Sequence, residues 1–240
     1  MWQALHRELD LWRETGLAAR FWLRDDDAVS ATPALERLAA LSERFAAPVL
    51  LAVIPQGADA TLAAHVARRA LLHPCQHGYA HRNHAPAGEK KQEFGPHRPL
   101  AIMLAELAEG RARLEALFGE ALRPVLVPPW NRIASALLTH VPRLSAFSPP
   151  AHPAKGRLDS NIDIVDWRGA RGGHSHAVLM PLLVAALGQA RAAGGAPVGI
   201  LTHHLVHDAQ AWRLLEDVLA HTSARGDCLW ASFDALADSP

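Results

Sequence analysis

Apolar and polar positions along the chain follow two alternating periods. Trp2, Leu5, Leu9 and Trp12 recur at helical spacing with charges between them, which predicts an amphipathic helix at the N-terminus. Short runs of strand character then alternate with longer helical stretches. "RFWLRDD" (20–26) reads as a strand and "TPALERLAALSERFA" (32–46) as a helix. Thr32 is placed to cap that helix, and Pro33 falls in the first turn, where its missing N–H costs nothing. "PVLLAVIP" (48–55) is a continuous apolar run between prolines, as expected of a strand buried on both faces. A helix over 59–72, capped by Asp59, leads to a short strand at 72–78. A polar stretch (85–99) interrupts the alternation before a helix at 100–119 and a strand at 123–130. Further strands are predicted at 143–148, 162–167, 197–203 and 227–233, with long helices over 176–193 and 208–224.

About eight strands in alternation with helices imply a parallel sheet, because parallel neighbours need crossover connections. Their number and the chain length favour a closed α/β barrel over an open doubly wound sheet. No break in composition suggests a linker, so residues 1–240 are read as one domain. No glycine-rich loop follows the first strand, which argues against dinucleotide binding.

Composition narrows the possibilities. Lys+Arg and Asp+Glu balance at 24 each, and a fifth of the residues are charged. No basic stripe points to nucleic acid. No apolar run is long enough to predict a membrane span. The charged N-terminal stretch does not read as an export signal, so a cytoplasmic protein is expected. In such a compartment Cys75 and Cys228 are expected as unpaired thiols. Oligomeric state is not legible.

The 15 histidines are clustered. "CQHGYAHRNH" places His77, His81 and His84 in one loop, and "THHLVH" holds His203, His204 and His207. Polar residues gather where strands end: Asp25, Asp26 and Asp27; His77 and His81; Trp130 and Asn131; Asp163, Asp166 and Trp167; His203 and His204. In a parallel barrel these ends share one face, and that face carries the chemistry. Two imidazoles and one carboxylate make an open site for a divalent ion, Zn²⁺ first, with Co²⁺, Mn²⁺ and Ni²⁺ as alternatives. Three successive carboxylates repel one another, and a bound cation relieves that repulsion. A second aspartate is then free to take a proton from water, and a histidine of "THH" to protonate a leaving group. Asp166 or Asp163 would orient that histidine. Trp130 and Trp167 are candidates to stack on a sugar or line an acyl pocket. The loop 85–99 is too long for a simple connector and is expected to wall the site, with Glu93 and Arg98 pairing within it or facing substrate.

Taken together these segments resemble the polysaccharide deacetylases, the NodB-homology carbohydrate esterases. "LRDDDA" is similar to the family's Asp-Asp motif, "HGYAH" to its His-x-x-x-His, and "VPPWN" to part of its Arg-x-Pro-aromatic motif. Asp163, Asp166 and Trp167 match its Asp-x-x-Asp-Trp, and "ILTHH" its leucine–histidine strand end. The resemblance implies a distorted barrel of seven or eight β/α units. It implies Asp26 as base and Asp27, His77 and His81 as metal ligands, with the pair Asp25 and Asp26 as the alternative register. It implies His203 as acid, with His204 the alternative, and Asp166 in support. Tyr79, Trp130, Asn131 and Trp167 would contact substrate. Val127 stands where the motif has an arginine that steadies the base, and Arg24 or Arg132 is the candidate replacement. The implied activity is metal-dependent removal of an acetyl group from an N-acetylated sugar, glycan or small-molecule amide. A non-carbohydrate amidohydrolase and a non-catalytic sugar-binding domain are the rival readings.

Overall fold

The structure is a computed structural model and describes residues 2–169 and 171–237. At its centre lies a parallel sheet of seven strands: β1 (Ala19–Ala28), β2 (Val49–Val53), β3 (Leu72–His77), β4 (Arg123–Val127), β5 (Ile162–Asp163), β6 (Val198–Thr202) and β7 (Cys228–Trp230). The order across the sheet is β4-β3-β2-β1-β6-β5, with β7 paired to the first residues of β1. Around it run α1 (Trp2–Glu14), α2 (Pro33–Phe45), α3 (Ala60–Val66), α4 (Leu100–Phe118), α5 (His176–Ala192), α6 (Ala209–Ser223) and α7 (Phe233–Ala237). The predicted caps form: Thr32 Oγ1 accepts from Leu35 N at 3.1 Å, and Asp59 accepts from Thr61 N and Leu62 N.

Strand alternation divides the core in two. Phe21, Leu23, Val49, Leu51 and Val53 face outward and pack beneath the helices. Trp22, Leu50, Ala52, Cys75, Val125 and Val127 face inward, and Phe233 and Leu236 of α7 plug that interior. Gly199 on β6 is required by this packing, because a Cβ there would lie 2.4 Å from the Trp22 indole nitrogen.

The barrel is distorted and its ladder stays open between β4 and β5. The expected strand at 143–148 is replaced by isolated bridges, Leu126 with Leu144, Leu144 with Arg157, and Phe147 with Ser160. Pro142, Pro149, Pro150 and Pro153 offer no N–H to a continuous ladder. The expected strand 162–167 shortens to Ile162–Asp163 because aspartate side chains capture the next amides. Asp163 Oδ1 accepts from Val165 N, and Asp166 Oδ1 from Arg168 N and Gly169 N. Cys75 and Cys228 are free thiols. Among the described residues no helix is long and apolar enough to cross a membrane.

Candidate active site

A bulge in β1 shapes the site. From Asp25 to Ala28 β1 advances three residues, while β2 advances two from Leu51 to Val53. In a regular strand, successive side chains point to opposite faces, so Arg24 and Asp26 turn inward and Asp25 outward. The extra residue re-aims the strand, and Asp27 at φ 73° turns into the mouth beside Asp26.

There Asp27 meets the histidine loop that follows β3. Its Oδ1 lies 3.1 Å from His77 Nε2 and 3.4 Å from His81 Nε2, and one ligand atom from each residue falls within 4.8 Å of the others. His77 Nδ1 stands 2.9 Å from the Val127 carbonyl, a bond that puts the hydrogen on Nδ1 and leaves the Nε2 lone pair facing Asp27. Burial raises the Asp27 carboxyl, but the close approach of the His77 imidazole, with His203 and His81 beyond it, outweighs that. Asp27 is held well below the usual carboxylate range. Oδ1 of Asp27 is buried and accepts no hydrogen bond of good geometry. The chemistry of this donor set, two oriented imidazoles and one ionised carboxylate, fits a divalent cation.

Asp26 sits alongside in the grip of Arg24. The guanidinium reaches both carboxylate oxygens, Nε to Oδ1 at 2.9 Å and Nη2 to Oδ2 at 3.0 Å. Arg24 is itself fully buried and braced by Ser145 Oγ, the Ala146 carbonyl and Asn131 Oδ1. Across the cavity His203 Nε2 lies 4.0 Å from Asp26 Oδ2. The Trp167 indole meets the His203 ring edge-on, with centroids 4.7 Å apart, and Trp130 packs at 4.4 Å against His81. With Asn131, Arg132, Asp163 and Leu201 these residues enclose a cavity of about 290 Å³.

The other candidates lie elsewhere. Asp25 is buried on the opposite side of β1, accepting from Thr202 Oγ1 at 2.6 Å and His204 N at 2.9 Å, with His204 Nδ1 at 2.5 Å. Asp25 and His204 therefore bind one another and do not line the mouth. Asp166 does not reach His203, because its carboxylate is spent on its own turn. Asp163 is the acid that lines the cavity near His203; burial raises its pKa, and its Oδ2 accepts from the Trp167 indole N–H. Tyr79 is absent from the cavity wall, since its hydroxyl turns away to Glu109 on α4 at 2.6 Å. Arg132 is tied to the Lys91 carbonyl, which leaves Arg24 as the residue on Asp26.

Glu93 has a role that neither expectation described. It is buried, and its carboxylate accepts from the backbone N–H groups of Tyr79, Ala80 and Arg82, all within the histidine loop. Gly78 admits it: at φ 60°, a Cβ there would lie 2.1 Å from Glu93 Oε2. Arg98 pairs with Glu106 through two bonds and donates to the Glu93 carbonyl. The 85–99 loop thus packs on the histidine side of the barrel. Nothing in the sequence marks a carboxylate whose partners are main-chain amides.

Solved structures share this architecture. A peptidoglycan N-acetylglucosamine deacetylase in complex with 4-naphthalen-1-yl-N-oxidanyl-benzamide matches with a TM-score of 0.61, at 13% identity over 95% of this chain and 96% of its own. The chain has the polysaccharide deacetylase fold. A family 4 acetyl xylan esterase from Clostridium thermocellum, in complex with a cobalt ion, also matches at TM-score 0.61, with 12% identity over 90% of this chain and 89% of the other. The peptidoglycan deacetylase PdaC from Bacillus subtilis matches at TM-score 0.61, with 11% identity over 91% and 90%. No protein-family model matches the sequence, and no curated protein matches it. Where the resembled motif has an arginine this chain has Val127, and the guanidinium on Asp26 is that of Arg24, two residues ahead of it on β1.

Proposed function

We propose that this chain is a metal-dependent hydrolase that removes an acetyl group from an N-acetylated sugar or a related amide. The observation that carries the reading is the convergence of Asp27, His77 and His81 in one cavity with the Arg24-held Asp26 and His203. Neighbours of the same fold that are named as peptidoglycan deacetylases and an acetyl xylan esterase support the substrate class. Asp27, His77 and His81 would hold the ion, zinc in the first instance; bound there, it supplies Lewis acidity and lowers the pKa of water toward ~7. Asp26 takes the proton from the attacking water, its orientation fixed by a hydrogen bond and a second ion-pair contact to Arg24. His203 donates a proton to the departing nitrogen, so an amine leaves and a carboxylate remains. Trp130, Asn131 and Trp167 wall the cavity and orient the acyl and sugar groups. Arg24 on Asp26 compensates for Val127, which favours the hydrolase over the non-catalytic sugar-binding reading.

Two alanine variants separate the roles. His203→Ala is expected to keep its metal and lose roughly 10²–10⁴ in turnover, the range for a missing general acid. His77→Ala is expected to lose metal and activity together, because a ligand is gone. Metal analysis alongside amide hydrolysis reads both. Equal metal loss in the two variants would make His203 a fourth ligand and overturn its role as acid.

A further inference from the structure

Beside the mouth lies a second space. Asn131 and Arg132 line both the 290 Å³ cavity and an adjoining one of about 390 Å³, shared with Gln92, Leu144, Ala146 and Arg157. These two residues present hydrogen-bond donors: the Asn131 amide NH₂ and the Arg132 guanidinium. Asn131 Oδ1 is occupied by Arg24 Nη2 at 2.7 Å, which turns the amide NH₂ away from Arg24. Asn131 holds φ 57°, and the next residue is Arg132. Arg132 is fixed at one corner, Nη1 to the Lys91 carbonyl at 3.0 Å, while its Nε and Nη2 have no bond among the described residues.

The nearby carboxylates are already engaged. Asp26 holds Arg24, Asp27 faces the two imidazoles, and Asp163 accepts from Val165 N and the Trp167 indole. Arg157 is bound by Asp159 through two bonds. Arg132 is therefore the cation in these two linings that has no carboxylate partner among the described residues. A planar guanidinium with free N–H groups on a concave wall suits a phosphate or a carboxylate far better than a neutral hydroxyl.

We propose that the substrate is an N-acyl sugar bearing an anionic group, received by Arg132 and Asn131 in a subsite next to the metal centre. This rests on the hydrolase reading for the identity of the amide, but binding alone can test it. Metal-loaded full-length protein is titrated calorimetrically with N-acetylglucosamine, its 1-phosphate, its 6-phosphate and N-acetylmuramic acid. At least one anionic sugar is expected to bind roughly 10- to 100-fold tighter than N-acetylglucosamine, the worth of one or two charge-assisted hydrogen bonds. That preference should weaken as salt is raised and vanish in Arg132→Ala. Arg132→Gln keeps a donor for the Lys91 carbonyl without the charge, so it should also lose the preference if the charge, not the loop strap, is what matters. Phosphate or carboxylate is identified by which arm binds. Equal binding of all four sugars overturns the proposal, as does a preference that survives in both variants. Tight binding of an anionic sugar that is never deacetylated leaves the subsite standing and removes the hydrolase reading.

Discussion

Three successive aspartates meet three different electrostatic environments. Asp25 is buried without a cation of fixed charge; burial raises it, but His204 and Thr202 outweigh that and its pKa is lowered, while His204 is raised. Asp27 faces two imidazoles in a donor set that could hold a metal ion. Asp26 depends on Arg24, and a buried pair broken from one side leaves an uncompensated charge that costs about 3–5 kcal/mol. Arg24→Ala is therefore expected to lower the melting temperature and the hydrolysis rate together. Arg24→Lys should recover part of the stability and less of the rate, since an ammonium cannot bridge both oxygens of Asp26 while holding Asn131 and Ala146. Thermal melts and rates at saturating metal distinguish the two; an Arg24→Ala protein as stable as its parent would show that Asp26 needs no partner. Val127 read as a gap because a motif records position along the chain. The guanidinium comes instead from β1, two residues ahead of Asp26, where strand alternation puts both side chains on one face.

At the scale of elements, the bulge in β1 and the turn after β3 do the aiming. Alternation on its own would group Asp25 with Asp27, and no periodicity reveals the residue that breaks it. The left-handed backbone of Asp27, His81, Trp130 and Asn131 is likewise unreadable from side-chain type, and each such position stores roughly 1–3 kcal/mol. Glu93 is what holds one of them, by gathering the amides of Tyr79, Ala80 and Arg82. Glu93→Gln retains shape but gives up one acceptor and the charge. It is expected to weaken metal binding roughly 10- to 100-fold, the usual effect of losing support behind a ligand, with a smaller change in unfolding temperature. Gly78→Ala should act in the same direction by displacing that carboxylate. Competition titration with a chromophoric chelator measures both; unaltered affinity in Glu93→Gln would reduce Glu93 to loop packing.

The whole molecule carries a pH signature at His207. Its Nε2 accepts from His203 N at 3.3 Å, and its ring sits edge-on to Trp212 at 4.5 Å. Burial pushes its pKa from 6.5 down to about 4. The unfolded chain therefore binds an extra proton between those values. This contribution, roughly 1–3 kcal/mol, is complete above pH 6.5 and is lost as pH falls toward 4. Urea midpoints at pH 7 and pH 5 should diverge less for His207→Gln than for the parent; identical divergence would place the acid sensitivity elsewhere. The alternation of strands and helices, the Thr32 and Asp59 caps and the face that carries the polar residues were legible in the sequence. The stretch 143–160 was not, because scattered bridges leave no period. That stretch also supplies Ser145 Oγ and the Ala146 carbonyl to Arg24. Arg24, the residue that holds Asp26, is thus moored to the least regular wall of the barrel. A slight loosening of that wall would release Asp26 long before the protein lost its shape, so that loss of the proposed activity and denaturation become separate events.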